Sequence, residues 1–555
     1  MGAATEGLRQ IAEIANPKTL KRLREAGVIG DPRGLLGIAT SLPWLLGRGP
    51  SLGVVSQMHS ITLGDKPAIH DQRGSISWRE LDKRANRAAQ ALRNEGIHGS
   101  DRIAMLLRNG REIIEVALGT QKLGIVACPL NTWAKPKELV STLEQADPSV
   151  LIYDTKHSDL VARCADPDLP LVFVGDPKDA VAGSVPYEEL MADASDSAPP
   201  PFTRDRGSPK VVIHTSGTTG TPKGAQRNAS AAGLGTLANL LAVVPYHRDD
   251  VIFCPAPLFH SFGLATFTFA TALGATLVLP EAYDPEESLE WIERYKATAA
   301  SFVPVMIKRI TTLDDDIKKK YDLSSLRIVL ASGSAMSPEL RKAAMGVFGD
   351  VLYDLYGSTE IGWASIATPE DMKTKPKTVG KVVEGIDVAV FSEKGEKLPP
   401  GETGELYIKS NILFEGYTSG TSREERDGYM SIGDLGHLDD DGHLFIEGRA
   451  DDMVIVGGEN VYPIEIEEVI ESIDGVDEAA VLGVTDEEYG EVLAAFVVGS
   501  VNEEQVLKTC KSELASYKVP RRVQTLDELP RTSTGKVLKR ELIADLDGAA
   551  PLEDA

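Results

Sequence analysis

Residues 215–224 read TSGTTGTPKG, and the five residues before them read KVVIH. Val211, Val212 and Ile213 suit a buried strand. That strand runs straight into a turn holding three Gly, four Thr, a Ser and a Lys. Such a turn carries bare backbone N–H groups and hydroxyls to a sheet edge. Gly217 and Gly220 permit positive φ and close approach to an anion. Lys223 adds a point charge aimed at a phosphate. The spacing Gly-x-x-Gly-x-x-Lys departs from the Gly-x4-Gly-Lys-Ser/Thr phosphate loop. As composition alone, the stretch reads equally well as a polar surface turn.

The flanking sequence must supply the sheet, and it alternates accordingly. Ser77 is placed to cap a helix with Glu80 three residues on, and Gly96 to end it. Residues 102–107 then read as a strand, 112–123 as a helix with Gly124 behind it, and 125–130 as a strand. The pattern resumes with strands at 251–254, 275–279, 299–303 and 327–331 and a helix at 286–295. Ser337 and Pro338 open another helix. Alternation of this kind predicts βαβ units and a parallel sheet. After about residue 397, Pro and Gly punctuate short alternating runs, which read as hairpins of a smaller β-rich unit. A polar crossing at 448–452 precedes about a hundred residues that suffice for a small α+β domain.

Composition narrows the function. The chain has 555 residues, with 58 Lys and Arg against 83 Asp and Glu, a net charge of −25. No basic excess remains to neutralise phosphates, so nucleic acid is excluded as a partner. Cys128, Cys164, Cys254 and Cys510 lack metal-knuckle spacing. They predict a reduced, cytoplasmic protein. Residues 1–10 lack a signal-peptide core, and Glu6 breaks the myristoylation pattern. Residues 34–47, GLLGIATSLPWLLG, are too short to span a bilayer. They are expected to dock on the body of the protein, with a membrane-surface role for Trp44 as the alternative. Nothing in the sequence speaks to oligomeric state.

Further motifs carry chemistry. Residues 257–263, PLFHSFG, follow a strand, and their aromatic rings can line an apolar pocket. By itself His260 reads as a packed histidine. In residues 353–360, YDLYGSTE, Tyr356 can stack on a base, Thr359 can donate to a phosphate and Glu360 can hold a hard cation. Residues 431–436 offer one carboxylate, Asp434, suited to two vicinal ribose hydroxyls. The acidic run 439–441 lacks the remaining ligands of a calcium loop and reads as a solvated turn. Lys536, in 529–537 LPRTSTGKV, would alone read as surface charge.

Taken together and in this order, these strings resemble the adenylate-forming superfamily: acyl-CoA synthetases, firefly-type luciferases and peptide-synthetase adenylation domains. The resemblance spans residues 215 to 536. It implies an α/β fold, with a large N-terminal domain of parallel-type sheets, helices and a β-rich subdomain (1–449). A hinge (450–452) and a small mobile α+β domain (453–555) would follow. It implies ATP, Mg²⁺ and coenzyme A as cofactors, a small-molecule carboxylic acid as substrate, and two half-reactions through an acyl-adenylate.

The implied nucleotide contacts are Thr215, Ser216, Gly217, Thr218, Thr219, Gly220, Lys223, Gly333, Tyr356, Gly357, Ser358, Thr359, Asp434 and Arg449, with Glu360 as the metal ligand. Gly457, Gly458 and Glu459 resemble the loop lining the thiol tunnel, His260 its gate, and Asp451 the hinge residue. Lys536 matches the catalytic lysine, and Lys223, Thr359 and Glu360 would share the developing charge with it. Lys539 and Arg540 are expected on a helix surface. Ser334 departs from the consecutive glycines common in the family and leaves the pocket shape there open.

The apolar 259–264 region, without an acidic residue to hold an ammonium, points to a medium- or long-chain fatty acid. An aryl or short-chain acid, an adenylate-only ligase serving a carrier protein, a luciferase-like oxygenase and a non-catalytic fatty-acid binder are the alternatives.

Overall fold

The computed structural model describes residues 16–29, 51–200, 210–216, 222–228, 234–392, 394–410, 416, 423–450, 452–456, 459–486, 490–531 and 536–546. Residues 34–47, the phosphate-loop tip 217–221, Asp451, and Gly457 and Gly458 lie outside these.

Two large sheets hold the nucleotide motifs. Among the described residues the first has seven strands. Their order is Val185–Pro186, Leu171–Val174, Val150–Asp154, Arg102–Leu106, Val126–Pro129, Lys210–Ser216 and Pro222–Asn228. Every pairing is parallel except the last, a hairpin in which Ser216 faces Pro222 and Thr215 faces Lys223. The two ends of the Gly-rich stretch, 215–216 and 222–224, are therefore paired strands at the sheet edge.

The second sheet has fourteen strands. Its parallel part runs from Pro67–Asp71 through Thr276–Val278, Val251–Phe253, Ala299–Phe302 and Ile328–Ala331 to Leu352–Tyr356. It then continues antiparallel through Ser365–Ala367, Thr378–Val382, His443–Arg449, Tyr429–Leu438, Gly404–Ser410 and Ile386–Phe391. The β-rich unit thus begins earlier than residue 397 and extends the parallel sheet. Residues 399–401, whose Pro-Pro-Gly suggested a boundary, are only the turn between its last two strands.

The helices Trp78–Asn94 and Arg111–Leu123 form where expected. Ser77 accepts from the Glu80 N–H at 3.2 Å, and Gly124 ends the second helix at φ +71°. One hydrophobic core joins their buried faces to Ile103 and Ile152 of the first sheet and Ile69, Leu277 and Leu330 of the second. A Cβ at Gly119 would stand 3.1 Å from the Ala85 carbonyl, so glycine there sets how closely the two helices approach. Within this apolar layer Lys122 pairs with Asp82 at 2.7 Å. Near the chain start, Arg22 of the helix Pro17–Glu25 reaches Glu384 at 2.6 Å.

A third sheet stands apart: Val476–Asp486, Gly490–Gly499 and Arg522–Leu526. One face packs on the helices Pro463–Glu471 and Glu503–Glu513 through Ile466, Ile470, Val506 and Cys510. The other face buries Leu529 and Leu542. Among the described residues no helix is long and apolar enough to cross a membrane.

Candidate active site

Parallel strands present their loops at their C-terminal ends, where open α/β sheets bind ligands. The strand Leu352–Tyr356 delivers Tyr356 there. Within this strand Asp354 is a buried acid paired with buried Arg341 at 2.6 Å. Beyond it the chain folds back tightly: a Cβ on Gly357 would lie 2.1 Å from the Gly362 carbonyl oxygen. The neighbouring strand Ile328–Ala331 leads to Gly333, at φ +107° and near Val303.

Tyr356 meets Asp434. The tyrosine hydroxyl donates to one carboxylate oxygen, and Arg449 donates to the other at 3.0 Å. Asp434 and Arg449 are cross-strand partners, so strand register sets this contact. Gly433 sits at φ +73°, a backbone conformation that favours glycine, beside the guanidiniums of Arg423 and Arg449. Burial raises the Asp434 pKa above its ordinary value, against the opposing pull of Arg449, Tyr356 and Lys536. Lys536 is exposed on the third sheet's unit, yet its charge acts on this carboxyl.

A second cluster adjoins the first in sequence. Ser358 donates to Glu360 at 2.8 Å, and Arg423 stands 3.5 Å from the same carboxylate. Thr359 donates to the Ser261 hydroxyl at 3.3 Å, which ties the loop to the start of the helix Ser261–Leu273. His260 precedes that helix and packs against Phe259 at 4.3 Å between centroids, the rings tilted by 49°. Burial lowers its pKa to about 4, so the ring is neutral at pH 7. Phe259 in turn meets the exposed Trp133 edge-on at 5.5 Å.

Thus Tyr356, Asp434 and Arg449 meet, within range of the Lys536 charge, and Ser358, Thr359 and Glu360 form a second group. Arg423 and Ser261 join them without having been singled out. Thr215, Ser216 and Lys223 lie in the edge hairpin, Glu459 in the short strand Glu459–Val461, and Gly217, Thr218, Thr219, Gly220, Gly457 and Gly458 outside the described residues. The acidic turn at 439–441 is more than solvated. Lys375 places its ammonium 2.5 Å from Asp439, 2.8 Å from Asp441 and 3.1 Å from His443, where a cation would otherwise sit. Lys539 is also more than helix surface, since it pairs with Asp452 at 3.1 Å.

These polar groups lie at the ends of a mixed α/β sheet, and the class of the protein follows from its relatives. The chain belongs to the AMP-binding enzyme family, whose model matches residues 60–418, with the AMP-binding enzyme C-terminal domain at 465–536. It is an adenylate-forming acyl-CoA synthetase, with ATP and CoA as substrates of the family. It is 31% identical to the long-chain-fatty-acid–CoA ligase FadD13 of Mycobacterium tuberculosis, over 86% of this chain and 94% of that one. It is 31% identical to the indoleacetate–CoA ligase of Aromatoleum aromaticum, over 86% and 95%. The crystal structure of the anthranilate CoA ligase AuaEII with anthranoyl-AMP has a TM-score of 0.82 at 26% identity, covering 90% of this chain and 98% of that one.

Proposed function

We infer that the protein activates a medium- or long-chain fatty acid as its acyl-adenylate and transfers the acyl group to CoA. The observation that carries this reading is the convergence of Tyr356, Asp434, Arg449 and the Lys536 charge, from four separate motifs, on one spot. In this assignment Asp434 accepts the ribose hydroxyls, Tyr356 lies along the base, and Thr359 and Lys223 hold phosphate oxygens. Negative charge gathers on the α-phosphate as the acid's oxygen adds and pyrophosphate leaves, and the Lys536 ammonium offsets it. A lone carboxylate beside hydroxyls suits Mg²⁺, which keeps most of its waters. Glu360 would hold that ion, which would supply further charge neutralisation at the phosphates.

The Trp133–Phe259–His260 contacts form an apolar wall beside Ser261 and Thr359, and a neutral His260 keeps it uncharged. Such a wall suits an alkyl chain, and the FadD13 relative is named for long-chain fatty acids. A second reading, an aryl acid, draws on the same aromatic rings and on the indoleacetate and anthranilate relatives. The test is the full chain with ATP, Mg²⁺, CoA and a panel of fatty and aryl acids, read by mass spectrometry. Acyl-CoA formed best from C8–C18 acids is the expected result. Preference for aryl acids would install the second reading. An adenylate that never reaches CoA would instead point to a carrier-protein acceptor. Absence of pyrophosphate release with every acid would leave only a binding protein.

A further inference from the structure

The helix Pro463–Glu471 belongs to the small unit, but its acidic side chains reach the large one. Lys377, just before the strand Thr378–Val382, bonds Glu468. Burial lowers the Lys377 pKa, but Glu468, Glu447 and Glu465 outweigh it and hold the ammonium above its ordinary value. Three residues along the same helix, Glu471 lies within range of the Lys308 charge. Positions three apart share one helix face. That face is therefore turned toward the large unit, with the Lys377–Glu468 pair as its direct tie.

The same helix is tied rigidly to the Lys536 segment. Glu467 accepts the Val481 N–H at 2.8 Å and Glu471 the Ala479 N–H at 3.4 Å, while Ile466 and Ile470 pack on the sheet between them. On that sheet's opposite face, Leu529 is buried and Val537 packs against the same cluster. Arg531 bridges to Val537 and pairs with Glu478 at 2.8 Å, which closes the turn bearing Lys536. Helix, sheet and the Arg531–Val537 pairing are joined by these contacts, so whatever holds the helix bears on where Lys536 stands.

We propose that Glu468 is a positioning residue, which docks the small unit through Lys377 so that Lys536 stands over the Asp434 site. This rests on the adenylate-forming reading above. Glu468 acts through Lys536.

The test uses the full chain with three variants: Lys377→Glu, Glu468→Lys, and the two combined. Pyrophosphate release from acid plus ATP is compared with acyl transfer from preformed acyl-adenylate to CoA. Each single variant should lower kcat for pyrophosphate release by about fivefold, the upper range for an exposed ion pair. KM for ATP and the transfer half-reaction should be unmoved. The double variant, with the charges exchanged, should recover most of the loss. A purely structural role would lower both half-reactions and the unfolding temperature together, and would overturn the proposal. So would single variants with unchanged pyrophosphate release, or an exchanged pair no better than the singles. Lys536→Ala serves as the control. If it keeps full pyrophosphate release, the functional reading fails. If it loses activity while the docking variants do not, the docking proposal alone fails.

Discussion

The Asp434 site and the Lys536 turn are built in opposite ways. Asp434 and Arg449 face each other across two neighbouring strands, and Tyr356 closes on them from the end of a third. Their positions follow from sheet register, which a one-residue slip would destroy. Lys536 is exposed, on a three-stranded unit whose described ties to the large one include polar side chains of one helix. In the proposed assignment, the groups that would hold the nucleotide throughout are built into a sheet. The group proposed for one step stands on a unit whose described polar ties are worth little each.

The sharpest way to break this comparison is Lys536→Ala. Loss of one donor to developing charge costs about 10²–10³ in rate. Pyrophosphate release should fall by that much, while transfer from synthetic acyl-adenylate to CoA should stay near the wild-type rate. A parallel fall in both half-reactions of a folded protein would mean that Lys536 is as permanent a part of the site as Asp434.

Asp434→Ala probes the permanent side. It removes the acceptor for the ribose and leaves the Tyr356 hydroxyl and the Arg449 guanidinium without it. Charge-assisted hydrogen bonds contribute about 1.5–3 kcal/mol each, so KM for ATP should rise roughly 10- to 100-fold. Steady-state kinetics at saturating acid would show it, and an unchanged KM would remove Asp434 from the site.

Between these regions lies the joint at 450–452, proposed as a hinge. The Ala450 N–H donates to the Gly433 carbonyl at 2.9 Å, and Asp452 holds Lys539. Proline at residue 451 would fix φ near −65° and restrict the joint. Asp451→Pro should spare adenylate formation and slow thioester formation about tenfold, the effect of a shift of about 1.4 kcal/mol between arrangements. Separate half-reaction assays would decide it, and equal loss in both would count against a hinge at this residue.

What could be read from the sequence was local. The strand at 211–213, the Ser77 and Ser337 caps, and the strings around Tyr356, Asp434 and Lys536 depend on neighbours a few residues away. What was not read was largely non-local. Asp354 carried no sign of its buried partner, because Arg341 lies on a helix and gives no signal of its own. Arg423 lies in a mixed run of Arg and Glu that reads as solvated surface, and only the fold brings it to Glu360. Lys377 and Glu468 are ordinary surface charges until two units meet. The acidic turn at 439–441 concealed its lysine partner for the same reason.

The smallest expected effect concerns the docking helix and its pH dependence. Burial raises the Glu471 pKa to about 7, with Glu467 adding to the rise and the Ala479 N–H, Lys308 and Ser337 opposing it. A carboxyl with an ordinary value near 4.3 holds its proton more tightly here than in the unfolded chain. Between those two values the folded state binds more protons, so stability falls as pH rises from about 4.3 to 7. The protonated acid contributes fully below that window and its advantage is spent above it. Glu471→Gln stays neutral throughout and keeps an acceptor for Ala479. The decline in unfolding temperature between pH 5 and 8 should therefore be shallower in the variant, by on the order of 2 °C. Unfolding followed at several pH values checks this. Identical slopes for the two proteins would mean that Glu471 titrates in the fold as it does in the unfolded chain.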